Sequence, residues 1–301
     1  MFIDIHTHTR FYPVMPRSDG STYATPLQLQ EFYREIKVEK AVVLPSASPC
    51  CSHGPQSVEE LVFMAKNSYP WMIPFCNIDP RMVTNNAYSD GMERIVKYYK
   101  ELGCKGVGEV CANLWFDDPF MLNLFAACQE YEMPLTFHIS PKTNHLYGIA
   151  DDPGLPRFEL CLKIFKKLKF LGHSQAFWSE MGELQSPEDR GGYPKNKIIQ
   201  ENGEVREGRL PKLFRKYPNL YGDLSAGSGF NALNRDRKYA ARFMEEFQDR
   251  LLFGIDICAP RNFDFARDYV KFLVEMRDKQ EISEQAFEKI ARENAVRLLN
   301  L

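Results

Sequence analysis

At 301 residues, 44% hydrophobic and 13% aromatic, the chain is long enough to bury a large core and fits one domain over 1–301 better than two small ones. Its formal net charge of -2 gives no electrostatic case for a nucleic-acid or membrane partner. No stretch approaches the ~18 apolar residues of a membrane span, and no basic leader precedes an apolar run, so a cytoplasmic protein acting on a small molecule is the expectation.

The chain opens on Phe2-Ile3-Asp4-Ile5, an extended run that delivers His6 and His8 to one point. Residues two apart share a face of a strand, and two neutral imidazoles on one face make half of a zinc site. Further runs of strand length follow at Lys40 to Leu44, Met72 to Asp79, Cys104 to Glu109, Pro134 to Ile139, Lys169 to His173, Asn219 to Leu224 and Leu251 to Asp256. Between them lie stretches of helical period at Leu27 to Ile36, Val58 to Ala65, Met92 to Leu102, Met121 to Tyr131, Phe158 to Lys166 and Phe263 to Met276. Eight strands alternating with helices predict an α/β fold with a parallel sheet, because each crossover must cover a sheet face.

Five of the eight runs carry the likely chemistry at or beside their ends: His6, Glu109, His138, His173 and Asp256. Glu109 to His138 is 29 positions and His138 to His173 is 35, close to the ~31 residues per unit of a (β/α)8 barrel. An open doubly wound sheet would gather its ligands at one switch point, whereas a closed barrel brings all strand ends to one mouth. A distorted TIM barrel is therefore predicted, with a long Gly/Pro/Glu/Asn/Lys-rich loop from 181 to 208 after strand six as a partial lid. A C-terminal helix over 282–301, with Ser283 as its N-cap, is compatible with a homo-oligomer.

The remaining polar residues rank lower. Asp223 and Ser225 sit two apart at the end of strand seven and are expected against the substrate, beside glycines that let it approach. Arg10, Arg81, Lys142, Arg235 and Arg261 all follow strand ends, and Arg10 and Arg81 are the first choices for an anionic substrate. Trp115, Phe116, Phe177 and Trp178 follow strands four and six, and Trp178 is the expected pocket wall. His53 and His145 lie in polar loops and read as surface or rim. The eight cysteines contain no Cys-x-x-Cys and read as reduced. Of these, Cys111 and Cys258 stand two positions beyond Glu109 and Asp256, where either reaches the pocket.

His6-x-His8, His138, His173 and Asp256 together resemble the ligand set of the amidohydrolase superfamily of metal-dependent hydrolases. Asn77-Ile-Asp-Pro-Arg81, Phe170-Leu-Gly-His173, Leu252-Phe-Gly-Ile-Asp256 and Glu293-Asn-Ala-Val-Arg-Leu-Leu299 narrow the resemblance to the amidohydrolase-related branch, which holds aromatic-acid decarboxylases alongside lactone and amide hydrolases. It implies a divalent ion, zinc first, one or two per chain, on His6, His8, Glu109, His138, His173 and Asp256. Such an ion lowers the pKa of a bound water toward ~7. Asp256 would accept the water's proton and His173 would polarise the substrate carbonyl, making these two the catalytic pair.

The chain departs from the branch at two points. Ser174-Gln-Ala-Phe-Trp178 stands where the decarboxylases carry a glycine-rich turn, and Glu109 resembles the bridging carboxylate of the binuclear TatD deoxyribonuclease family. Hydrolysis of an ester, lactone or amide in a small, carboxylated or cyclic compound is the first expectation. Non-oxidative decarboxylation is the second, and a non-catalytic binding barrel is disfavoured because every ligand position is filled.

Overall fold

The computed structural model describes residues 1–12, 14–50, 54–83, 91–141, 147–192, 200–202 and 204–301. His53, Lys142 and His145 lie outside them. Eight parallel strands form the frame: β1 Phe2–Thr7, β2 Val38–Val43, β3 Met72–Pro74, β4 Val107–Val110, β5 Leu135–Ser140, β6 Phe170–His173, β7 Leu220–Asp223 and β8 Leu251–Leu252. Strands β1 to β3 form one ladder and β4 to β8 another.

Backbone hydrogen bonds join the two ladders at both seams. Cys76 N–H donates to the Gly106 carbonyl at 2.9 Å and Gly108 N–H to the Cys76 carbonyl at 2.8 Å, joining β3 to β4. Ile5 N–H donates to the Phe253 carbonyl at 2.9 Å and Asp256 N–H to the His6 carbonyl at 2.8 Å, joining β8 back to β1. The strands therefore close into a TIM barrel, with helices between them on the outside.

The barrel interior below the strand ends is apolar. Ile3 and Ile5 pack there with Val42, Ile73, Phe75, Leu171 and Leu252, and the C-terminal residues Ala295 and Leu299 plug the bottom. Outside, Phe116, Phe125, Phe137, Phe158, Phe170 and Phe177 interlock between sheet and helices with centroids 4.9 to 6.3 Å apart. Phe116, Phe177 and Trp178 are core side chains, so the aromatic pocket wall expected there does not form.

The C-terminal helix begins as expected, with Ser283 Oγ accepting from Ala286 N–H. A π-helical turn, Lys289–Glu293, interrupts it. There the Ile290 carbonyl accepts the Phe253 N–H at 2.9 Å, and Asn294 Nδ2 donates to the Gln248 and Leu251 carbonyls, clamping the helix to the foot of β8. Among the described residues after β6 are a 3-10 turn, Pro187–Gly191, and a two-stranded ribbon of Gln200–Glu201 with Glu204–Val205. Ala226–Asn234 and Arg237–Glu246, unassigned from the sequence, are helices. Among the described residues no helix is long and apolar enough to cross a membrane.

Candidate metal centre

Simple alternation along β1 would put His6 on the face of Phe2 and Asp4, away from Ile3 and Ile5. A bulge prevents this: two residues of β1 lie between Asp4 and Thr7 while only one lies between their β2 partners, Ala41 and Val43. Asp4 holds the irregularity, its Oδ1 accepting from His6 N–H at 3.0 Å and Ile255 N–H at 2.9 Å, and its Oδ2 from Tyr33 at 2.7 Å. The bulge turns His6 into the barrel mouth just above Ile5. The carboxylate that sets it is completely buried, and burial pushes its pKa up to about 7.

At the mouth the five strand-end groups and His8 converge. His6 Nε2 and His8 Nε2 lie 3.2 Å apart, and Asp256 Oδ1 is 3.7 and 3.4 Å from them. Glu109 divides its oxygens: Oε2 is 3.7 Å from both His6 Nε2 and His8 Nε2, while Oε1 is 2.7 Å from His138 Nδ1 and 3.7 Å from His173 Nε2. Glu109 follows Gly108, whose φ of 141° suits glycine and where a Cβ would stand only 2.5 Å from the Thr136 carbonyl oxygen. Asp256 is itself held at a positive φ of 60° by its bond to the His6 carbonyl.

The other ring nitrogens are committed. His8 Nδ1 can only donate to the Leu44 carbonyl, 2.8 Å away, which leaves a lone pair on Nε2. His6 Nδ1 donates to Asp223 Oδ2 at 2.6 Å, and His173 Nδ1 meets Ser225 Oγ at 2.9 Å. Two Nε2 atoms facing each other at 3.2 Å between two carboxylates call for a positive charge. Burial disfavours charge on His6, but Asp223 and Asp256 outweigh that and hold its pKa well above the usual imidazole value. His173 is driven the other way, to about 4, by burial and then by the neighbouring His6. Glu109 and Asp256 stay below the ordinary carboxylate range, the burial cost being outweighed by the surrounding imidazoles. A divalent cation fits the same charge and donor set, with His6, His8 and His173 each oriented by a partner behind it, the usual construction of a metal-binding histidine.

Asp223, Ser225 and Trp178 were expected against the substrate, and the structure places them behind the cluster instead. All three are completely buried. Asp223 orients His6, its Oδ1 accepts the Ser225 N–H at 3.0 Å, and its carbonyl accepts the Trp178 indole N–H at 2.8 Å. Ser225 stands at the N-cap of Ala226–Asn234 but spends its hydroxyl on His173.

The cluster floors a cleft of about 420 Å³, whose lining includes His8, Glu109, Asp256, Arg17, Tyr23 and Arg261. Arg10 and Arg81 do not line it. Arg81 is locked on Asp79 at 2.7 and 2.8 Å, and Arg10 is buried behind Tyr23 and Ser46, donating to the Gly54 carbonyl at 2.6 Å. The cationic wall is built by Arg17 and by Arg261, which is ion-paired with Asp19. Sequence reasoning had no signal for Arg17, which belongs to no predicted element and precedes the first helix.

Barrel and cluster together define a (β/α)8 protein with imidazoles and carboxylates gathered at its mouth, and comparison finds a family resemblance over part of the chain. The family model described as Amidohydrolase matches residues 189–301, which carry β7, β8 and Asp256. Among solved structures, an uncharacterised TIM-barrel protein of Bordetella bronchiseptica is 18% identical, with 99% of this chain and 98% of that chain covered and a TM-score of 0.62. An amidohydrolase of Burkholderia multivorans with bound zinc is 14% identical (100% and 99% covered, TM-score 0.60). A 5-carboxyvanillate decarboxylase of Novosphingobium aromaticivorans with bound manganese is 14% identical (91% and 80% covered, TM-score 0.55). No curated protein sequence matches the chain. The resemblance to the amidohydrolases read from the sequence is matched by the family model over residues 189–301, and the solved structures share the TIM-barrel fold.

Proposed function

We propose that the protein is a divalent-metal hydrolase that cleaves an ester, lactone or amide bond in a small carboxylated compound, with zinc as the ion. The observation that carries this reading is the position of Asp256. Its carboxylate lies 3.4 to 3.9 Å from ring nitrogens of His6, His8 and His173 and also lines the cleft. It is therefore placed both to share in holding an ion and to take a proton from a water at the cleft floor.

A bound ion would acidify that water and polarise a substrate carbonyl. His6, His8 and Asp256 would hold it, with Glu109 facing the same point. His173, neutral because burial keeps its pKa near 4, offers a hydrogen bond or a lone pair without adding charge. Arg17 and Arg261 would seat a carboxylate on the substrate.

The same two guanidinium groups favour a second reading, non-oxidative decarboxylation, since a carboxylate is then the group that leaves. Turnover in oxygen-18 water separates the two. Label in the product without carbon dioxide supports hydrolysis. Stoichiometric carbon dioxide, with a proton replacing the carboxylate, overturns it.

A further inference from the structure

We propose that Cys111 is a ligand in a second, sulfur-bearing metal subsite formed with Glu109 and His138; this rests on reading the cluster as a metal centre. The first observation is the division of the Glu109 carboxylate. One oxygen faces the His6 and His8 pair and the other faces His138 and His173, so a single carboxylate addresses two positions. The second is that donor atoms of Glu109, Cys111 and His138 all lie within 4.8 Å of one another, as do those of His6, His8 and Asp256. The third is that Cys111, although only 2% exposed, lines the same cleft as Glu109 and Asp256.

The three ligands differ in character from the first set. An ion entering beside Cys111 releases the thiol proton to solvent and gains a thiolate. Thiolate selects zinc, cobalt or cadmium over magnesium and manganese. The consequence is a centre whose two positions discriminate differently: the imidazole and carboxylate set accepts manganese, whereas the Cys111 position does not.

Stripped protein titrated with cobalt(II) tests this directly, because a thiolate ligand gives a sulfur-to-cobalt charge-transfer band in the near ultraviolet. Two equivalents are expected, with the band present. Cys111→Ser should lose the band and one equivalent, while Cys258→Ser, altering the other thiol of the cleft, should keep both. A band that survives in Cys111→Ser, or wild-type protein that saturates at one equivalent, overturns the proposal. Should Cys111→Ser fail to fold, X-ray absorption on the zinc-loaded wild type decides: a sulfur scatterer at ~2.3 Å supports it and oxygen and nitrogen scatterers alone refute it. Neither refutation touches the hydrolase reading, which needs only the His6, His8 and Asp256 position.

Discussion

The two ends of the barrel are built from the same strands on opposite terms. At the closed end, Ile3, Val42, Ile73, Leu171 and Leu252 interdigitate with Leu299 in an apolar cluster. At the other end, β1, β4, β5, β6 and β8 deliver four imidazoles and two carboxylates, backed by the buried Asp4 and Asp223. Burying so many ionisable groups costs stability, and the cost is tolerated only because each has a partner. The apolar end and the phenylalanine layer outside it make the mouth affordable. Stability and chemistry should therefore separate by position along a strand.

The largest effect expected at the mouth is Asp256→Asn. The amide can still coordinate but cannot take a proton, so turnover should fall ~10²–10⁴-fold while much of the bound metal remains. Unchanged turnover would remove Asp256 from the chemistry. At the closed end, Leu252→Ala should cost ~2–5 kcal/mol of unfolding free energy, with metal affinity of the folded protein preserved. A parallel loss of affinity would show that the two ends are not separable.

Smaller is the effect expected of Asp223→Asn behind the cluster. Losing the carboxylate that orients His6 should weaken metal binding by ~10–100-fold, measurable by competition with a chelator, and wild-type affinity would contradict the positioning role. The smallest effect lies away from both ends. Asp151 accepts the backbone N–H groups of Asp152, Arg157 and Phe158 at 2.8 to 3.1 Å, yet burial still lifts its pKa to about 6. Between the unfolded value of ~3.9 and about 6 the folded form holds a proton that the unfolded form has released. This contribution is present in full below the lower value and fades as pH rises through the upper one. Asp151→Asn should flatten that part of the unfolding profile, and an unchanged slope would locate the titration elsewhere.

Much of the mouth was legible in the sequence because His6, His8, Glu109, His138, His173 and Asp256 each end or follow an apolar strand, and a closed barrel can only bring such ends together. Depth was not legible. Period-two alternation assigns a face to Asp223 and Ser225, and adjacency to a strand end suggests one for Trp178, but neither says that a layer of ligands stands between them and the cleft. The bulge was hidden for a related reason. Asp4 reads as an ordinary polar position in an alternating strand, and only its three buried donors reveal that it shifts the register and re-aims His6. Arg17 carries no pattern at all, since its place in the cleft wall depends on where a segment before the first helix comes to rest.

The central claim is that these six side chains exist to hold a divalent ion, and metal analysis of chain purified without added metal tests it most directly. Zinc or a similar ion should be present in wild type and sharply reduced in the His6→Ala, His8→Ala double variant. Full occupancy in that double variant would contradict the account.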